Sequence, residues 1–257
     1  MQFRRALLTQ NLLILMGYIG ILSACNGTEQ DPKLRVFAAS SLRDVLQEVM
    51  GACNLAPDYQ FAGSQVLKLQ IEHGAKADVY LSANQRHIDT LTAKGLIIDS
   101  AVFSHNKLSL VLSPSFDFSG SHLETLLSVN SLVVGLHSAP IGAYTQDWFK
   151  TLLRDKDSSY RELIESKIVS YENNTKIVLQ RVLQNEADAG IVYQSDARMF
   201  PKLQNFPIPD QEQPKIEFYA GIVKRDQSLH PESRLLMACL QSAKALAIFR
   251  QYGFEGI

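Results

Sequence analysis

The sequence predicts an α/β protein of two lobes, and three observations predict it. From Leu34 onward short apolar runs alternate with amphipathic stretches, the pattern of βα units around a mainly parallel sheet. Four helix starts follow strands directly, each behind small or neutral residues. Two polar loops, "SPSFDFSGS" after Leu108–Leu112 and "PIPDQEQP" before Ile216–Val223, flank strands suited to carry the chain out to a second lobe and back. A chain of 257 residues is long enough for one large domain or two small ones.

Residues 1–24 stand apart. "MQFRR" is basic, "NLLILMGYIGIL" is apolar but short for a membrane span, and "LSAC" ends in small residues before Cys25. This reads as an export signal of the lipoprotein type, with Cys25 the acylated residue after cleavage. Residues 25–33 then form a polar tether, "NGTEQDP", rich in turn formers. Lobe one is expected over 34–110 plus 218–257, and lobe two over 111–217.

Strands are read at Leu34–Ala38, Tyr59–Ala62, Ala77–Leu81, Leu108–Leu112, Leu132–Gly135, Gly190–Tyr193 and Ile216–Val223. Leu42, Val45, Leu46, Val49 and Met50 make a helical stripe, which places Ser40 or Ser41 at its N-cap. A second helix opens at Ser64 after "FAGS" and stops at Gly74. A third follows "PIG", with Tyr144, Trp148 and Leu152 every fourth residue. A fourth follows "ENN", with Thr175 in its opening turn, and a long C-terminal helix is expected from Ser233 to Tyr252.

Removing residues 1–24, which hold Arg4 and Arg5 and no acid, leaves 23 basic and 26 acidic residues. That balance argues against nucleic acid as a partner. Cys53 and Cys239 either pair or remain buried thiols, and no Cys/His cluster has metal spacing. Enzyme motifs are missing as well: there is no GxSxG, P-loop, HExxH or GxGxxG, and the six histidines are scattered. His87 reads as a solvated residue near a helix start, and Asp78 as a carboxylate bonding local backbone.

The helix starts carry the chemistry. Unsatisfied N–H groups and the positive end of the helix dipole make an anion site where several starts meet at the carboxyl ends of strands. Taken singly, Ser41 and Ser64 could each be a cap. Taken together, "FAASSL" and "FAGSQVL" share one design of strand, small residues, serine and helix, with no charged side chain in the turn. Such turns offer donors only, which suits a fully deprotonated anion better than one that still carries a proton. Tyr193, closing the strand "GIVY", is as readily a packing residue as a further donor.

The stretches "VFAASSL", "FAGSQVLKLQIEHGAKADVYLSANQRHIDTLTAKGLI", "GLHSAPIGAYTQDWF", "ENNTKIVLQRVLQNEADAGIVYQSDA" and "AIFRQYGF" together resemble the ModA family, the molybdate-binding proteins of bacterial ABC importers. The resemblance spans about Leu34 to Phe254. It implies the two-lobed periplasmic binding protein fold of type II, with two hinge strands and a ligand cleft between lobes. It implies hydroxyl and backbone donors from Ser41 and Ser64, backbone N–H groups from Ile141 and Thr175, and the phenol of Tyr193. The implied ligand is molybdate, with tungstate, held without direct protein–metal bonds and without a cofactor; sulfate is the alternative oxyanion. The implied partners are an ABC permease with its ATPase, and the membrane through the lipid anchor alone, for an exported monomer that is not an enzyme. The sequence departs from the family at Ile141, where alanine is usual, at Thr175, where valine is common, and at Gly63, where serine is frequent and glycine is expected to loosen the turn.

Overall fold

The seven apolar runs become strands in the computed structural model, which describes residues 33–224 and 229–256. The signal segment, Cys25 and most of the tether lie outside the described residues. Ten strands form two five-stranded sheets. The first has the order β2-β1-β3-β10-β4, with β1 Arg35–Ala39, β2 Asp58–Ala62, β3 Val79–Ser82, β4 Ile97–Asn106 and β10 Ile216–Val223. The second has the order β7-β6-β8-β5-β9, with β5 Leu108–Leu112, β6 Leu132–Gly135, β7 Ile168–Glu172, β8 Ala189–Tyr193 and β9 Gln204–Pro207.

Each sheet is mixed. Three strands run parallel, β2-β1-β3 in the first and β7-β6-β8 in the second, and two more add antiparallel at one side. The central parallel strands β1, β3, β6 and β8 were legible from their continuous apolar runs, buried on both faces. The sequence reading missed β4, β7 and β9, whose half-exposed patterns hold little continuous apolar signal.

The helices are α1 Arg43–Ala52, α2 Ser64–Glu72, α3 Gln85–Ala93, α4 His122–Ser128, α5 Pro140–Leu152, α6 Ser158–Ser166, α7 Thr175–Leu183, α8 Gln194–Arg198, α9 Glu232–Leu240 and α10 Ala243–Gln251. Helix α2 stops as its sequence suggests: Gly74 takes φ +87°, and the N–H of Ala75 reaches back to the Gln70 carbonyl at 2.9 Å. The expected C-terminal helix is two. The chain leaves the helix at Gln241–Ser242, and the Ser242 side chain caps α10 by accepting the Ala245 N–H at 3.2 Å.

The chain changes sheets twice. Lys107 alone separates β4 from β5, so all of Leu108–Leu112 belongs to the second sheet, although the sequence reading placed its first three residues in lobe one. The return runs from β9 to β10. Gln213 ties the two crossings together: its Oε1 accepts the Leu108 N–H at 2.8 Å, and its Nε2 donates to the carbonyls of Leu108 and Ile208, each at 2.9 Å. Lys107 pairs with Asp210 on the return segment and with Glu255 near the C-terminus, at 2.9 and 2.6 Å. Asn106 Nδ2 donates to Ser195 Oγ at 2.8 Å across the same junction.

Cys53, just beyond α1, and Cys239, in α9, form a disulfide with their Cα atoms 6.1 Å apart. The bond closes a loop of 186 residues in sequence, so it restricts the unfolded chain strongly. Asp78 bonds the neighbouring strand: its Oδ2 accepts the N–H of Arg35 at 2.8 Å. His87 is 9 % exposed on the inner side of α3, where the sequence suggested a solvated residue. Burial, with Lys68 and Arg86 nearby, pushes its pKa down to about 4.

Two outcomes follow for stability. Replacing both Cys53 and Cys239 by serine should lower the unfolding free energy by about 2–5 kcal/mol, read as a fall in the urea midpoint. Unfolded His87 takes a proton below its ordinary value of 6.5, whereas folded His87 stays neutral down to about 4. Its contribution is therefore complete above pH 6.5 and is lost as pH falls from 6.5 to 4. Urea unfolding of His87→Gln across that window should show a shallower loss than the parent protein.

Candidate functional site

Four helical segments begin at the carboxyl ends of parallel strands and point at one small space. Ser40–Leu42, a single 3-10 turn, follows β1; α2 follows β2; α5 follows β6; and α7 follows β7. Their N-cap residues are Ala39, Gly63, Ala139 and Asn174. The first three make no side-chain cap. Only Asn174 does, accepting the Ile177 N–H at 3.2 Å. Ser41 and Ser64 therefore lie one or two residues inside their helical turns, and neither is the cap that the sequence allowed. The opening residues of all four segments line the space between the halves, where the first N–H groups of a helix have no carbonyl of their own helix to bond.

That space is a cavity of about 20 Å³. A single water needs roughly 10–15 Å³ by the same measure, so the occupant it fits is small. Ser41, Ser64, Ile141, Thr175 and Tyr193 all line it, as do Ser40, Gly63 and Asn174. All five residues singled out in sequence are thus brought together, the first two from the first sheet and the last three from the second. No charged side chain is in the lining. Among the described residues no cluster of His, Cys, Asp or Glu could hold a metal ion, and no helix is long and apolar enough to cross a membrane.

The donors are poised by their neighbours. Ser64 Oγ accepts the Ala83 N–H at 3.1 Å, which leaves its own proton to be given elsewhere. The Ser64 carbonyl is held by the Tyr80 hydroxyl at 2.8 Å. Thr175 Oγ1 accepts the backbone N–H of Tyr193 at 3.4 Å, tying the start of α7 to the end of β8. The Tyr193 ring packs edge-on against Phe218, with centroids 5.8 Å apart. Its hydroxyl is buried with no hydrogen-bond partner. Burial, followed by Tyr144 and Asp196, holds its pKa well above the usual phenol value, so the group stays a proton donor.

Ile141 does not crowd the cavity with its whole bulk. Its Cγ2 lies 2.5 Å from where a Cβ on Gly135 would sit, so the branch fills space that this glycine leaves open at the end of β6. Gly63 is not a loosened turn either. Its φ of −61° suits any residue, but a Cβ there would stand 2.4 Å from the Asn173 carbonyl oxygen. Glycine is required by the close approach of the other half.

Contacts between the halves surround the cavity, and none was read from the sequence. The Tyr144 hydroxyl donates to the Ala83 carbonyl at 3.2 Å. Gln65 Nε2 donates to the Asn173 carbonyl at 2.7 Å. Lys176, in the first turn of α7, bonds Asp44 on α1 and also Asp196 at 2.9 Å. Asp196 is 1 % exposed; burial pushes its carboxyl up and Lys176 opposes that shift. The only local hint was the "QSDA" that follows Tyr193, and nothing in the sequence says that Asp44 comes near it.

A family model described as bacterial extracellular solute-binding protein matches residues 34–255. The chain is 30 % identical over 263 residues to YvgL of Bacillus subtilis, named as an ABC transporter substrate-binding lipoprotein, covering 97 % of this chain and 95 % of that one. It is 28 % identical over 246 residues to the molybdate-binding protein ModA of Escherichia coli, covering 90 % and 92 %. Its fold is similar to the solved structure of the sulfate-binding protein SubI of Mycobacterium tuberculosis, with a TM-score of 0.75 at 13 % identity over 87 % of this chain and 86 % of that one.

A phenol whose hydroxyl bonds nothing has no intramolecular hydrogen bond to lose. Tyr193→Phe should therefore leave the ligand-free protein at least as stable as the parent, and differential scanning calorimetry checks this.

Proposed function

Since the chain belongs to the bacterial extracellular solute-binding proteins, a family of two-lobed transport proteins that work outside the cytoplasm, we propose that its solute is molybdate, with tungstate, delivered to an ABC permease and its ATPase. The observation that carries this reading is the Tyr193 hydroxyl, buried and without a partner in a cavity whose side chains supply donors and no charge. A buried donor without an acceptor costs about 1–3 kcal/mol, which a bound anion would recover.

The donor set also speaks to protonation. A tetrahedral dianion that only accepts can use every hydroxyl and N–H, whereas a protonated phosphate needs an acceptor for its own proton. The lining holds no carboxylate to serve. The small volume favours an inorganic oxyanion over an organic phosphate. The roles assigned to Ser41, Ser64, Ile141, Thr175 and Tyr193 rest on this chemistry and on the relationship to ModA. Because each half supplies part of the set, capture goes with closure of the lobes. Acylation at Cys25 would tether the protein to the membrane, a reading that the lipoprotein YvgL supports, and the protein would act as a monomer.

Sulfate is the second reading, favoured by the fold shared with SubI and by the same acceptor-only chemistry. Isothermal titration of the purified protein with molybdate, tungstate, sulfate and phosphate separates the two. One-to-one binding of the first two with silence from the others is expected. Strong sulfate binding would move the assignment to sulfate, and no binding by any of the four would remove the oxyanion reading altogether. Tyr193→Phe or Ser41→Ala should weaken binding by about 1.5–3 kcal/mol, or roughly one to two decades in Kd; unchanged affinity would strip that residue of its role.

A further inference from the structure

Gln65 reaches from the first half to the second at the edge of the cavity. It is the second residue of α2, and its Nε2 donates to the Asn173 carbonyl at 2.7 Å. The amide has one sensible orientation, because the reverse would set Oε1 against that carbonyl oxygen. Oε1 is then buried with no partner, in a residue 7 % exposed. Gly63 lies directly beneath. A Cβ on it would come within 2.7 and 2.8 Å of the two Gln65 amide atoms, so glycine at 63 is the room in which the amide sits.

The amide lies at the border of two spaces. Gly63 and Asn173 line the small uncharged cavity, whereas Gln65 lines a neighbouring cleft of about 340 Å³, and Pro140 borders both. The cleft is basic. Lys68 and Arg86 face it beside the neutral His87, and its lining has no acid. Lys68 is paired with Glu72, but Arg86 has no ion-pair partner among the described residues. An anion arriving from solvent would gather in this cleft before it reached the cavity.

We propose that Gln65 is the gate between the basic cleft and the anion cavity, and thereby a determinant of how long an anion stays and how large it can be. Shut, the amide bonds Asn173 and joins the halves. Open, it swings into the cleft, where Oε1 meets water. Shutting makes one hydrogen bond and strands one acceptor, so neither position is strongly favoured, as a gate requires. The inference rests on the oxyanion reading above and adds a residue to it.

The test uses Gln65→Ala and Gln65→Leu in the full protein, with circular dichroism to verify folding. Both variants lose the bond to Asn173, so molybdate release followed by stopped-flow fluorescence of Trp148 should quicken by about fivefold or more in each. Only Gln65→Ala joins cavity to cleft, so it alone should acquire binding of a bulkier anion such as methyl phosphate. A second measurement needs no anion: amide hydrogen exchange over residues 173–177 should rise in both variants. Parental release rate and selectivity in Gln65→Ala would overturn the gate, and so would unchanged exchange. If the parent protein binds no oxyanion, the oxyanion reading fails, and the exchange measurement alone decides whether Gln65 holds the halves together.

Discussion

The structure around the cavity depends on helix starts that carry no side-chain cap. The helical segments begun at Ser40, Ser64 and Pro140 have alanine or glycine at the N-cap and no side-chain cap. Capping is inexpensive to provide, and its absence at three neighbouring starts concentrates donor capacity and partial positive charge in one place. The parallel strand order makes this possible: in both sheets the strands that run together deliver their following helices to the same edge. The two edges face each other, which turns separate donors into one site.

Keeping formal charge out of the lining has a physical consequence. A lysine or arginine in the cavity would attract any anion, protonated or not. Neutral donors discriminate instead by the number and direction of acceptors and by the space available. Charges are present one layer out. Lys176 ties Asp44 of the first half to the buried Asp196 of the second, and Arg86 and Lys68 stand in the adjoining cleft. Recognition and attraction are thereby carried by different residues.

Contacts with other elements explain two departures from the ModA pattern. Gly63 is fixed by the Asn173 carbonyl and the Gln65 amide that press on it, and its backbone angles are ordinary. Ile141 is housed by Gly135, a residue six positions earlier in the chain that meets it only because β6 and α5 fold back on each other. In both cases the meaning of one residue lies in another element, so reading either position alone misjudged it.

The sequence by itself determined the α/β class, the apolar parallel strands β1, β3, β6 and β8, and the helix starts with Ser41 and Ser64, while Ile141, Thr175 and Tyr193 were singled out as donors by the resemblance to ModA. These are local properties, carried by apolar runs, small residues at strand ends and periodic stripes that need no partner to be read. Tertiary structure alone decided the rest. The edge strands β4, β7 and β9 form by pairing with buried neighbours, since their own patterns are weak. Cys53 and Cys239 meet across 186 residues because α9 packs against α1. Gln65 finds Asn173, and Lys176 finds Asp44, because the two crossings at Lys107 and before β10 bring the two sheets face to face. Such pairs join residues more than a hundred positions apart, and no spacing along a chain encodes which surfaces its fold will press together.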